Sequence, residues 1–252
     1  MRTHHYNLPP VDAADLDWIT DAVVANVRSE PASPAAVFVL LHVYAQSGAA
    51  PVGEALEPLL TEALEAVQRP GDAALRCEWL GIVSQAAAFS DDQRLPAAVE
   101  RLLPEAIDGL ERAAAALYEP GERPEPSARA AHIACANALL TAFDLTGRLP
   151  YPMLAEELLQ ASRHDGWNEA AGMYEGGFAM NGTAATACCR LAQLHRDPDY
   201  AARAVLSRAA HYADDAERAL GWMQRVHRDH PRDAAEFGRA LIHWLALRAH
   251  PN

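Results

Sequence analysis

Residues 33–48 read Ser-Pro-Ala-Ala-Val-Phe-Val-Leu-Leu-His-Val-Tyr-Ala-Gln-Ser-Gly. Ser33-Pro34 is a helix start, with proline at the first helical position, where its missing N–H costs nothing. From Ala35 to Tyr44 the residues are apolar nearly all round. A helix of this kind has no polar face to offer water, so it must be buried on every side. Gly48 closes it, because glycine takes the left-handed conformation that ends many helices. A more amphipathic helix follows from about Gly53 to Gln68, and Pro70-Gly71 breaks the chain. One wholly apolar helix beside one amphipathic helix is the unit from which the fold is read.

The unit recurs on either side. Upstream, Asp12 and Asp15 form a capped start, and Leu16, Ile19, Val23 and Val27 make a stripe at 3/4 spacing. Downstream, Asp72 to Phe89 is a second largely apolar helix. Ser90 with Gln93 reads as a capping box opening a long acidic segment to about Tyr118, which Pro96 and Pro104 are expected to kink or divide. Glu119 to Pro126 is a loop, Ser127 caps an alanine-rich helix from Ala128 to Leu145, and Gly147 ends it. A shorter amphipathic helix covers Pro152 to Ser162, and a long loop runs from Gly166 to Asn181. Gly182 to His195 is small and apolar, Asp197-Pro198 starts an exposed helix, straight or bent, to about Arg228, and Pro231 opens the last, ending near Arg248. The alternation of outer and inner helices repeats about five times, with a period of roughly 40 to 50 residues. The expectation is one all-α domain over residues 1–252, in which helical hairpins stack into an (α/α) toroid, complete or incomplete, of about five hairpins, or into an open solenoid.

Composition narrows the function. Acids outnumber bases 34 to 21 among 252 residues, for a formal charge of -13. A nucleic-acid partner calls for concentrated Lys and Arg, and so does an anionic membrane surface; neither is expected. No lysine occurs anywhere, which removes Schiff-base chemistry and a Walker-type phosphate loop. The four cysteines, Cys77, Cys135, Cys188 and Cys189, lie in helical patterns without a CxxC spacing. With a polar N-terminus carrying His4 and His5 and no long apolar run, they suggest a soluble, cytoplasmic protein.

The stretch from Met180 to Leu194, Met-Asn-Gly-Thr-Ala-Ala-Thr-Ala-Cys-Cys-Arg-Leu-Ala-Gln-Leu, precedes Asp197-Pro-Asp-Tyr200, a helix with Ala201, Ala204 and Leu206, and the final helix after Pro231. This resembles the last two hairpins of six-hairpin, glycosidase-like (α/α) toroids, above all the toroid fused to thioredoxin-like domains and, more distantly, the N-acylglucosamine 2-epimerase group. The resemblance covers about a third of the chain. It implies a small-residue inner helix opened by Asn181 and Thr183, then an outer helix after the Asp-x-x-Tyr turn. It carries over no catalytic residue.

Two constellations could carry chemistry. The loop after Ser162 gathers His164, Asp165, Trp167, Glu169, Tyr174, Glu175, Phe178 and Asn181. Aromatics beside carboxylates suit a sugar or another polar ring, with paired acids for proton transfer. Asp165, Glu169 and Glu175, with His132 or His164, are therefore the acid–base candidates, and Trp167, Tyr174, Phe178 and Asn181 the binding candidates. The second constellation is the polar residues of otherwise apolar helices: His42 and Tyr44, Glu78, His132 and Asn137, and Arg239 with His243 at i, i+4. Such groups find hydrogen-bond partners in a core or line a cavity. His132, Cys135 and Cys188 could in principle hold zinc, but a cysteine in an alanine-rich helix is more often a small hydrophobe, so no metal or other cofactor is expected. Asp91-Asp92 and Asp214-Asp215 with Glu217 fit caps and solvated faces, and GxSxG, HExxH and GxGxxG are absent. The expected ligand is a small, polar, carbohydrate-like molecule. The alternative is a helical-repeat interaction module without chemistry.

Overall fold

A computed structural model describes residues 13–118, 125–204 and 211–249. The expected Asp12 cap, most of the Glu119–Pro126 loop and Leu206 lie outside them. The described chain is all-α, with eleven helices: α1 (Ala13–Asn26), α2 (Pro34–Ser47), α3 (Ala50–Ala66), α4 (Ala73–Ala87), α5 (Arg94–Leu117), α6 (Arg129–Thr146), α7 (Pro150–Gly166), α8 (Phe178–Leu194), α9 (Pro198–Arg203), α10 (Tyr212–Val226) and α11 (Ala234–Ala249). A two-residue hairpin, β1 (Trp167–Asn168) and β2 (Met173–Tyr174), is the only sheet among the described residues.

Local chemistry sets most of the helix ends. Ser33 accepts a hydrogen bond from the Ala36 amide at 3.1 Å, and Gly48, at φ 60°, donates to the Tyr44 carbonyl. Asp72 caps α4 by accepting from the amides of Ala74 and Leu75, and Gly147 ends α6 at φ 68°. Asp197 caps α9. Elsewhere the competition between caps came out differently from the sequence reading. Ser90 accepts from the amide of Asp92, and Asp92 accepts from that of Arg94, so α5 begins at Arg94 without the Ser90–Gln93 box. Pro104 does not divide α5, since it sits on the exposed face where water can satisfy the carbonyl it leaves unpaired. Ser127 lies in a short 3-10 turn and makes no cap bond. α7 runs four residues past Ser162 and α8 starts at Phe178, so the loop between them is shorter than expected. The helix at Asp197 stops at Arg203 rather than continuing to Arg228.

Packing follows the alternation. The apolar helices contact one another in a cycle, α2 with α4, α4 with α6, α6 with α8, α8 with α11, and α11 with α2. Each remaining long helix lies over a seam of that cycle: α1 on α11 and α2, α3 on α2 and α4, α5 on α4 and α6, α7 on α6 and α8, α10 on α8 and α11. An inner helix therefore meets two inner neighbours and at least one outer helix, which is why it needs apolar residues round most of its girth. One continuous hydrophobic cluster runs from Ile19 in α1 to Leu247 in α11.

Small residues set the inner spacing. A Cβ on Gly182 of α8 would stand 2.8 Å from the Cβ of Glu236 and 3.0 Å from its backbone carbonyl on α11. Gly182→Ala must therefore push two inner helices apart. Overpacking of this kind costs about 1–3 kcal/mol, while alanine's better helix propensity returns about 1 kcal/mol. A net loss of about 1 kcal/mol, and no more than about 2, is expected in urea unfolding followed by circular dichroism. An unchanged midpoint would mean that the α8–α11 contact has slack to absorb a methyl group.

Candidate functional site

Polar side chains from four of the inner helices meet in one layer. Glu78, on α4, is 8% exposed. Its carboxylate accepts from Thr141 Oγ1 at 2.5 Å and Asn137 Nδ2 at 3.1 Å, both on α6, and pairs with Arg239 Nη1 on α11 at 2.5 Å. Arg190, on α8, donates to the Asn137 side chain at 2.8 Å, to Thr141 at 3.2 Å and to Asp144 at 2.9 Å. Asn137, Thr141 and Asp144 share one face of α6 by their 3/4 spacing, and Gly81 leaves the room that the Thr141 methyl occupies. Four helices thus place two arginines and two carboxylates in one hydrogen-bonded layer.

The layer borders a cavity of about 240 Å³. Glu78, Thr141, Asp144, Arg190, Arg239 and His243 line it, with Phe38 of α2, so all five inner helices contribute. Phe38 stacks on His243 at 5.1 Å and 12°, and the Arg239 guanidinium lies 5.6 Å over the Phe38 ring. Arg239 is 9% exposed, and its buried Nε has no hydrogen-bond partner.

Electrostatics divides the ionisable groups. Burial pushes the Glu78 carboxyl up, but Arg239, Arg190 and the Thr141 hydrogen bond outweigh it and hold the group below its ordinary range. Glu78 is therefore a permanent carboxylate near neutral pH. Burial drives His243 well below the usual histidine range, and Arg190, Arg239 and His42 add to the effect, so this ring is uncharged. Glu236, one turn before Arg239, goes the other way. Burial raises its carboxyl to about 7, with Arg239 opposing and Glu78 and Asp233 reinforcing the rise. Its contact on the facing helix is Thr183, at 3.5 Å.

The loop candidates occupy a different place. The β1–β2 hairpin packs on α7, α8 and α10. Asn181 fixes it by accepting from the Tyr174 amide at 2.8 Å and donating to the carbonyls of Tyr174 and Gly177. Trp167 lies between the guanidinium groups of Arg163 and Arg218, each 5.3 Å from its ring, and meets the buried Tyr174 edge to face. Glu169 pairs with Arg218 at 2.8 Å and with Arg163 at 3.1 Å. Phe178 stacks on His230 at 4.6 Å. The Asp165 carbonyl accepts from Arg129, and its carboxylate is 3.7 Å from His164 Nδ1. Glu175 is exposed. His132 sets its ring nitrogens 2.8 and 2.9 Å from the carbonyls of Ala128 and Leu117, tying α6 to the end of α5.

Of the residues singled out in the sequence, Arg239 and His243 therefore meet Glu78 and Asn137, while the loop acids and aromatics hold one another and their arginines. Arg190, Thr141, Asp144, Glu236 and Phe38 escaped the sequence reading. The signal that could have found Arg190 is its position as the lone base in the small, apolar segment from Gly182 to Leu194. Burial raises the thiols of Cys77 and Cys135 to about 12, and those of Cys188 and Cys189 rise for the same reason, so all four act as small hydrophobes. No group of three or more metal-ligating side chains occurs among the described residues, and no helix among them is long and apolar enough to cross a membrane. Comparison of the chain with family models, with curated proteins and with solved structures finds no match.

Proposed function

We propose that the cycle of inner helices is a five-hairpin, toroid-like ring, and that it binds a small, neutral, hydroxyl-rich molecule in its central cavity. The observation that carries this reading is the convergence of Glu78, Asp144, Arg190, Arg239 and His243, from four separate helices, on one cavity of about 240 Å³. Charge counting selects the ligand class. Two guanidinium groups offset two carboxylates and His243 is neutral, so the cavity has many donors and acceptors but no net charge for an anion or cation to answer. A polyol or monosaccharide matches such a lining, and the volume, just below the usual range of drug-sized ligand sites, suits so small a molecule.

The test is a thermal-shift screen of the full chain against glucose, galactose, mannose and myo-inositol. At a hundred times Kd, a ligand adds about 2.7 kcal/mol, or roughly 5–10 °C in a chain of this size. Gln85→Trp, at an exposed position on the cavity lining, should abolish the shift and leave the unliganded melting point nearly unchanged. A flat response to all four compounds would remove this reading.

One feature favours the interaction-module reading. Phe89, 63% exposed, and Tyr44 flank a groove of about 400 Å³ lined by Leu41, Leu56, Leu60 and Leu64. A flat sugar screen together with a protein that co-purifies with the wild type and is lost from a Phe89→Ser variant would favour it.

A further inference from the structure

A second cavity, of about 350 Å³, lies beside the first between α6, α8 and α11. The two share Asp144, Arg190 and His243, so one wall belongs to both. Their chemistry differs. The first is built on Glu78, Thr141 and the two arginines. The second is lined by Leu140, Cys189, Leu194, Ala246 and Leu247, with Gln193 at its edge. Cys189 belongs with the apolar group, since burial keeps its thiol protonated.

The shared wall is a bridge rather than a plug. Arg190 reaches Asn137, Thr141 and Asp144 along one face of α6, and the Asp144 side chain is 63% exposed. The ion pair thus stands at the rim where both cavities open. A molecule that spans both cavities has to pass Asp144, Arg190 and His243, the residues they share.

We propose that the natural ligand is amphiphilic: a hydroxyl-rich head in the polar cavity joined to a short aliphatic or aryl group in the apolar one. The proposal rests on the head-group reading above and adds the second half of the ligand. A polar ring alone leaves the leucine-lined space to water, whereas an attached alkyl group gains about fourfold in affinity for each methylene it buries.

The experiment is isothermal titration calorimetry of the full chain with matched methyl and hexyl β-glycosides of glucose, galactose and mannose, and with 1-hexanol as the tail alone. For the preferred head, the hexyl glycoside should bind at least about tenfold tighter than the methyl glycoside. Hexanol alone should bind more weakly than the hexyl glycoside. Ala246→Phe fills the apolar cavity from an exposed position on α11 and should erase the hexyl advantage, leaving the methyl glycoside within about twofold. Gln193→Trp, exposed on α8, gives the same readout if Ala246→Phe does not fold. Equal binding of methyl and hexyl glycosides would overturn the amphiphilic ligand and leave the head site standing. A hexyl advantage that survives both variants would overturn the assignment of the tail to this cavity. Hexanol binding as tightly as the hexyl glycoside would reduce the effect to general apolar adsorption and also overturn it. No binding by any glycoside would remove the head reading, and this one with it.

Discussion

Replacing Glu78 with alanine is expected to lower the unfolding free energy by about 3–5 kcal/mol. The reason is what the substitution leaves behind. Glu78 is the one ion-pair partner of Arg239 among the described residues, and the Arg239 side chain is only 10% exposed. Its Nε already lacks a partner. Removing the carboxylate strands a buried guanidinium, and the amide of Asn137 and the hydroxyl of Thr141 lose their acceptor at the same time. The contrast is Glu65→Ala, since the Arg69–Glu65 pair is 63% exposed on both sides and is worth no more than about 0.5 kcal/mol. Glu78→Gln should fall between, because it keeps an acceptor for Thr141 but loses the charge. In the double variant Glu78→Ala/Arg239→Leu part of the loss should be recovered, as the uncompensated charge is gone. Urea unfolding of the wild type and the four variants at pH 7 supplies the measurement. A loss below about 1 kcal/mol for Glu78→Ala would mean that water in the adjoining cavity takes over the carboxylate's bonds. The layer would then be a wet binding surface and not a structural tie.

How much of this could be read in the sequence follows from the range of the interactions. Caps act over three or four residues, so Ser33, Gly48, Asp72, Gly147 and Asp197 announced their helices. The box expected at Ser90 failed for an equally local reason. Asp92 stands closer to the first helical amides than Ser90 does, and it captures that of Arg94. Inner and outer helices could be told apart because a helix enclosed on all sides cannot carry a polar stripe. Which inner helix contacts which was not written in any one of them.

The candidate site shows the same limit. Asn137, Thr141 and Asp144 make a visible stripe, but Arg190 and Arg239, which give it meaning, come from α8 and α11. The loop drew notice because its acids and aromatics cluster along the chain. Its arginines do not. Arg163 on α7 and Arg218 on α10 hold Glu169 and enclose Trp167. A cluster in sequence was therefore a set of contacts holding a hairpin down, while a scattered set of single polar residues became the cavity.

Glu236→Gln should stabilise the protein at pH 8 by about 2 kcal/mol and leave it nearly unchanged at pH 4.5. The folded carboxyl titrates at about 7 against an ordinary value of 4.5. The native state therefore holds this proton more tightly than the unfolded chain does. The stability that comes from that proton is complete below 4.5 and is lost as pH rises towards 7. The full shift corresponds to about 3 kcal/mol, and about 2 allows for the water that still reaches the side chain. Glutamine has the shape of the neutral acid, so it keeps the contact with Thr183 and never charges. Three charged groups bear on the site: Arg239 on its own helix favours ionisation, while Glu78 from α4 and Asp233 from the turn before α11 oppose it. His243 works in the opposite direction. Its folded proton affinity is depressed, so its contribution is present above 6.5 and is lost as pH falls. The wild-type pH profile mixes the two, and the difference between wild type and Glu236→Gln isolates the carboxyl. Urea midpoints at pH 4.5, 6 and 8 are enough. A variant less stable than wild type at pH 8 would mean that the native state prefers the carboxylate to the acid, because Arg239 outweighs burial, and that the inner face carries a second permanent carboxylate beside Glu78.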